Sequence, residues 1–73
     1  MRVNLKEARK RAGMTQTDLS EMLDISLRHY QRIEHGESNG SFYIWDTLEE
    51  ILGESQKKLR LISNIDHGQT KSR

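Results

Sequence analysis

The 73 residues contain no cysteine, so no disulfide staples this chain and no thiolate zinc site holds it. Only 33% of the residues are hydrophobic and four are aromatic: one Trp, one Phe and two Tyr. A core of that size is marginal by itself, so helix packing has to supply the stability, with a partner subunit as one source of help. The longest apolar run is Phe42-Tyr43-Ile44-Trp45, and Met1 to Gly13 is basic and polar where a signal peptide would be apolar. The expectation is a cytoplasmic protein, neither secreted nor membrane-spanning. Proline is also absent, and strand-like alternation is hard to find.

The net charge of +1 points to no particular partner, but the charges are sorted along the chain. Arg2, Lys6, Arg9, Lys10 and Arg11 crowd the start. Glu37, Asp46, Glu49, Glu50 and Glu54 make the stretch after Gly36 acidic, and Lys57, Lys58, Arg60, Lys71 and Arg73 make the end basic. A polyanion could meet the basic ends while the acidic stretch faces away.

Frequent helix punctuation makes the chain all-α, a small bundle of four to five short helices. Asn4 is expected to cap the first, with Glu7 closing a capping box and Leu5, Ala8 and Ala12 as its apolar stripe, and Gly13 ends it. Thr15 caps the second, with Asp18 in the first turn and Leu19 and Leu23 facing inward. After a break at Asp24-Ile25-Ser26, Ser26 caps a third helix that carries Tyr30 and Ile33 and stops at Gly36. Ser41 caps a fourth, with Phe42, Trp45, Leu48 and Leu52 inward until Gly53. Ser55 caps a fifth bearing Leu59, Leu61, Ile62 and Ile65. The domain division expected is 1–53 for the compact part, 54–66 for an additional helix offered as a dimerisation surface, and 67–73 for a disordered basic tail.

Helical geometry gives the third helix two faces. At roughly 100° per residue, Arg28, Gln31, Arg32 and His35 fall opposite Tyr30 and Ile33. That outer face is basic and polar, without an acid. Arg can donate two bonds to guanine, Gln can pair bidentately with adenine, and an exposed Leu27 can touch a thymine methyl. The same residues would also serve as an ordinary solvated face. No catalytic constellation converges: there is no cysteine nucleophile, no phosphate-cradling glycine motif and no metal-spaced cluster. No enzyme activity, cofactor, metal or small-molecule ligand is expected.

Gln16-Thr17-Asp18-Leu19-Ser20, Ile25-Ser26 and Arg32-Ile33-Glu34-His35-Gly36 resemble the Cro/repressor, or XRE-like, helix-turn-helix family. The similarity runs without a gap from about Leu5 to Gly53. It implies a λ-repressor-like bundle and a bacterial or phage-type transcriptional regulator, expected to be a repressor that binds double-stranded DNA as a homodimer. Residues 27–34 would form the recognition helix, with Leu27, Arg28, Gln31 and Arg32 reading bases. Gln16, His35, Asn39, Gly40 and Ser41 would meet the DNA backbone. Arg9 and Glu34 match a structural ion pair of the family that links the first and third helices.

Three departures from the family pattern stand out. Asp24 occupies a left-handed turn position where the family usually has Gly. Glu37 and Ser38 replace basic loop residues, which weakens attraction to phosphate. Tyr30 is larger than the usual aliphatic residue and is expected in the core with its hydroxyl reaching the surface. The rival reading is a protein-interaction module on the same fold, an antitoxin, antirepressor or scaffold, with DNA binding secondary or absent.

Overall fold

The computed structural model describes residues 1–62, and the expected tail 67–73 and Ile65 lie outside them. Five helices follow one another, α1 (Val3–Arg11), α2 (Gln16–Met22), α3 (Leu27–His35), α4 (Phe42–Leu52) and α5 (Gln56–Leu59), with no strand among the described residues. Three of the expected caps form. Thr15 accepts from the Asp18 N–H at 3.0 Å while the Asp18 carboxylate takes the Thr15 N–H, a complete capping box. Ser26 accepts from the His29 N–H and Ser41 from that of Ile44. Gly36 and Gly53 close α3 and α4 in left-handed conformation.

The apolar side chains of all five helices meet in one core: Leu5 and Ala8 from α1, Leu19 from α2 with Leu23 just after it, Tyr30 and Ile33 from α3, Ile44, Trp45 and Leu48 from α4, and Leu59 from α5. Several expectations fail locally. Asn4 does not cap α1. The helix starts earlier because Arg2 is pinned, its N–H donating to Glu34 O at 2.8 Å, and Asn4 instead donates to Lys58 O. Ala12 is exposed, one residue past the end of α1.

On α4, Phe42 is 82% exposed, while Ile44 takes the inward position. Phe42 sits roughly 120° from the middle of the stripe formed by Ile44, Trp45 and Leu48, so its three-residue step to Trp45 does not bring it inside. Ser55 makes no side-chain cap. The Glu49 carboxylate reaches from α4 to accept the Gln56 N–H and side-chain amide, and so holds the start of α5. That helix is also shorter than expected. It ends at Leu59, which is fully buried against the core, while Leu61 and Ile62 are exposed.

Candidate nucleic-acid interface

The capped turn before Leu27 and the buried pair Tyr30 and Ile33 fix how α3 is rotated. Tyr30, Ile33 and Glu34 point inward, while Arg28, Arg32 and His35 are exposed, Leu27 is 39% exposed and Gln31 is half-buried. Every residue expected on the outer face therefore lies at the surface or at its margin. Arg32 has a loose neighbour, the Glu37 carboxylate at 3.9 Å, and both side chains are exposed.

Beneath this face lies a polar centre. Glu34, 1% exposed, accepts from Arg9 Nε at 2.9 Å, Arg9 Nη2 at 3.1 Å, the Tyr30 hydroxyl at 2.7 Å and Gln16 Nε2 at 3.1 Å. Burial alone pushes the Glu34 carboxyl up, but the hydrogen bonds from Arg9, Tyr30 and Gln16 outweigh it and hold the group below the usual carboxylate range. Burial, reinforced by the same carboxylate, pushes the Tyr30 hydroxyl far above its ordinary value, so it stays a donor. That hydroxyl is buried within the centre and does not reach the surface as expected. Arg9 also donates to Met14 O, which ties the α1–α2 turn to the same point.

The centre extends outward through Gln16, the first residue of α2. Its Oε1 accepts from Gln31 Nε2 at 3.2 Å, so the start of α2 and the outer margin of α3 touch. After α3 the chain turns through Asn39, Gly40 and Ser41 into α4. The Asn39 carbonyl accepts from Trp45 Nε1 at 2.6 Å, and the Ser41 hydroxyl is occupied as the cap. Gly40 has φ +74°, and a Cβ there would stand 3.1 Å from Trp45 Nε1, so a side chain is disfavoured twice.

A helix-turn-helix family model matches residues 5–59, three-quarters of the chain. The chain belongs to the Cro/XRE-type helix-turn-helix family. No curated protein and no solved structure gives a match. The family is one of DNA-binding transcription regulators. In its terms α2 and α3 are the two helices of the motif, and the turn between them is made at Asp24, whose φ of 59° is the one positive value outside glycine among the described residues. The matched segment starts and ends on fully buried leucines, Leu5 and Leu59, and so takes in α5.

One residue that organises this helix-turn-helix domain gave no sequence signal. Arg2 is 3% exposed, donates to Ile33 O at 2.6 Å, Ser38 O at 2.8 Å and Arg60 O at 3.0 Å, and lies 5.1 Å from the Trp45 ring centroid. It clamps the end of α3, the following loop and α5 together. Nothing in the sequence separates Arg2 from Lys6 or Lys10, because its acceptors are backbone carbonyls. Among the described residues no cluster of His, Cys, Asp and Glu suits a metal ion, and no helix is long and apolar enough to cross a membrane.

Proposed function

We propose that this chain is a repressor that reads a specific duplex DNA site as a homodimer, with α3 in the major groove. The observation that carries the reading is the split of α3 into a buried face of Tyr30, Ile33 and Glu34 and an outer face of Leu27, Arg28, Gln31, Arg32 and His35. Leu27, Arg28, Gln31 and Arg32 address base edges, and Gln16, His35, Asn39, Gly40 and Ser41 follow the phosphates. Occupation of promoter DNA is enough to exclude other proteins, which makes repression the simplest output. Such a regulator works where the DNA is, in a bacterial cytoplasm.

Pairing two copies would set two α3 helices about 34 Å apart on a near-palindromic site. It would also compensate for the acidic Glu37 beside Arg32. Leu61 and Ile62 support the pairing, being apolar and exposed among the described residues. Selection of bound duplexes from a random pool, followed by titration of the selected site at several salt concentrations, tests the reading. Arg28→Ala should leave circular dichroism unchanged and weaken the selected site by ~1–3 kcal/mol, with relaxed preference at one base pair. Unchanged affinity would remove α3 from the groove.

A second reading has its own observation. Phe42 is 82% and Tyr43 60% exposed, side by side at the start of α4, as a protein-binding face would present them. If no duplex is selected and Phe42→Ser abolishes capture of a protein partner, the protein-interaction module is the function.

A further inference from the structure

We propose that the cavity between Arg60 and the loop entering α4 holds a phosphate group of the DNA backbone, with the Arg60 guanidinium as its donor. The inference rests on the reading of the chain as a DNA binder, and it brings the end of α5, outside the two helices of the motif, into the contact surface.

A cavity of about 230 Å3 lies at the start of α4, lined by Gly40, Ser41, Phe42, Trp45 and Arg60. Sites that enclose a whole small molecule run to ~300–1,000 Å3, so this one suits a single phosphate group better than a metabolite. The buried Trp45 ring is held by its bond to the Asn39 carbonyl, and the Arg60 guanidinium lies 5.8 Å from the ring centroid. The backbone that carries Arg60 is anchored from two sides. Leu59 beside it is fully buried, and the Arg60 carbonyl accepts from Arg2 Nε.

The charge around this ring is unbalanced. The ion pairs of the described residues join Arg9 to Glu34, Arg11 and Lys58 to Glu54, and Arg32 to Glu37, and neither Arg2 nor Arg60 is among them. Two guanidiniums therefore share the Trp45 ring without a carboxylate, and burial, then the Arg60 charge, lower the Arg2 pKa. Arg2 commits its donors to the carbonyls of Ile33, Ser38 and Arg60, whereas the Arg60 side chain is exposed. An anion at Arg60 supplies the missing counter-charge, with Arg2 as a buried positive backing. A guanidinium fork also matches phosphate oxygens bidentately.

The opposite wall favours the DNA backbone over a free anion. Phe42 is 82% exposed and apolar, which gives a bare phosphate nothing to bind. A backbone phosphate brings a deoxyribose on either side, and its carbon face can cover the ring and remove apolar area from water. Gly40 and Ser41, already assigned to the phosphates, line the same cavity, so Arg60 continues their track.

The test compares intact wild type, Arg60→Gln and Lys57→Gln, using Trp45 emission and the salt dependence of duplex binding, with folding checked by circular dichroism. Lys57 is exposed on the same helix and does not line the cavity, so its variant removes an equal charge elsewhere. Arg60→Gln should weaken all duplexes severalfold at low salt with base preferences unchanged, and should flatten the slope of log K against log salt by ~0.9 per bound chain. Duplex binding should change Trp45 emission in wild type and Lys57→Gln but not in Arg60→Gln. Inorganic phosphate, titrated at constant ionic strength, separates the two sources of the group. No emission change with it assigns the site to the DNA backbone, and a change that Arg60→Gln abolishes shows that the site takes phosphate from either source. The proposal is overturned if Arg60→Gln leaves the slope and the emission response intact, or if Lys57→Gln alters both equally. If wild type binds no duplex, the DNA reading falls and the phosphate titration decides alone: a response lost in Arg60→Gln keeps the phosphate site, and no response overturns it.

Discussion

Two buried arginines hold this small domain together in opposite ways. Arg9, on α1, meets a carboxylate, with Glu34 taking two of its N–H groups and Tyr30 and Gln16 completing the set. Arg2, just before the same helix, meets three backbone carbonyls and the face of Trp45, with the Arg60 guanidinium also 5.8 Å from that ring's centroid. Burial and the Arg60 charge both pull the Arg2 pKa down, whereas the hydrogen bond to Glu34 leads Arg9 upward against its own burial. The Glu34 centre is thus a charge-balanced unit in which each member needs the others. The Trp45 centre is a clamp whose acceptors are neutral carbonyls, two of them only part-buried.

The largest effect should come from Glu34→Ala. It would strand the Arg9 charge and leave the Tyr30 hydroxyl and Gln16 amide without their acceptor. Breaking a buried pair from one side costs ~3–5 kcal/mol, against ~0–1 for an exposed pair, and chemical denaturation would separate these values. A loss near zero would make the pair superficial and erase the contrast with Arg2. The depressed Glu34 pKa adds a pH signature. Its stabilisation is fully present above the unfolded Glu value of about 4.3 and is lost as pH falls through the lower folded value. Acid titration of stability in wild type and Glu34→Gln should show a decline below that pH in wild type that is smaller in the variant.

Arg2→Ala comes next, at about 2–3 kcal/mol, because it removes charged hydrogen bonds and a ring contact but strands no buried charge. Ile33 O keeps the Gly36 N–H as a second donor, which limits the damage. The chain has a single tryptophan, so its emission, excited selectively over that of the two tyrosines, reports this centre alone. Arg2→Ala should shift Trp45 emission while Glu34→Gln leaves it in place. If both variants shift it equally, the two centres are one cooperative unit.

Gly40→Ala follows, on the loop side of the Trp45 clamp. A left-handed alanine costs ~1–2 kcal/mol, and its Cβ presses on Trp45 Nε1 at 3.1 Å. Denaturation midpoints should fall accordingly, and the Trp45 emission should change with them. A neutral substitution with unchanged emission would mean that the Asn39–Trp45 hydrogen bond does not hold the loop.

What could be read from the sequence was whatever is decided within one helical turn. Thr15 with Asp18, Ser26, Ser41 and Gly36 carry their own capping chemistry, and 100° steps separate the faces of α3 without knowledge of its neighbours. The Arg9–Glu34 link crosses 25 positions and was suggested by resemblance alone. Other features depend on tertiary partners. Four consecutive apolar residues, Phe42 to Trp45, allow more than one inward stripe, and packing chose Ile44 over Phe42. The start of α5 is held by Glu49 from another helix, the tyrosine hydroxyl found a buried acceptor, and the Gln16–Gln31 contact joins two flexible side chains across the turn.

The smallest effect expected is a gain, at the turn that holds the two halves of the Glu34 centre together. Asp24 pays a conformational cost at φ 59°, as Gly40 would if it carried a side chain, but the Asp24 side chain is exposed. The turn's backbone bonds, Asp24 N–H to Glu21 O and Ile25 N–H to Ser20 O, do not involve the aspartate side chain and survive replacement. Asp24→Gly therefore relieves a left-handed strain of ~1 kcal/mol or less for aspartate. Glycine's greater freedom in the unfolded chain offsets ~0.4–1 kcal/mol of that. The net should be a stabilisation of a few tenths of a kcal/mol, seen as a small rise in the urea midpoint at constant m value. Asp24→Ala should move the midpoint the other way, since alanine has the same strain without aspartate's local hydrogen-bonding tolerance of it. A loss above about 1 kcal/mol in Asp24→Gly would show that the carboxylate itself braces the turn, beyond what conformational strain alone allows.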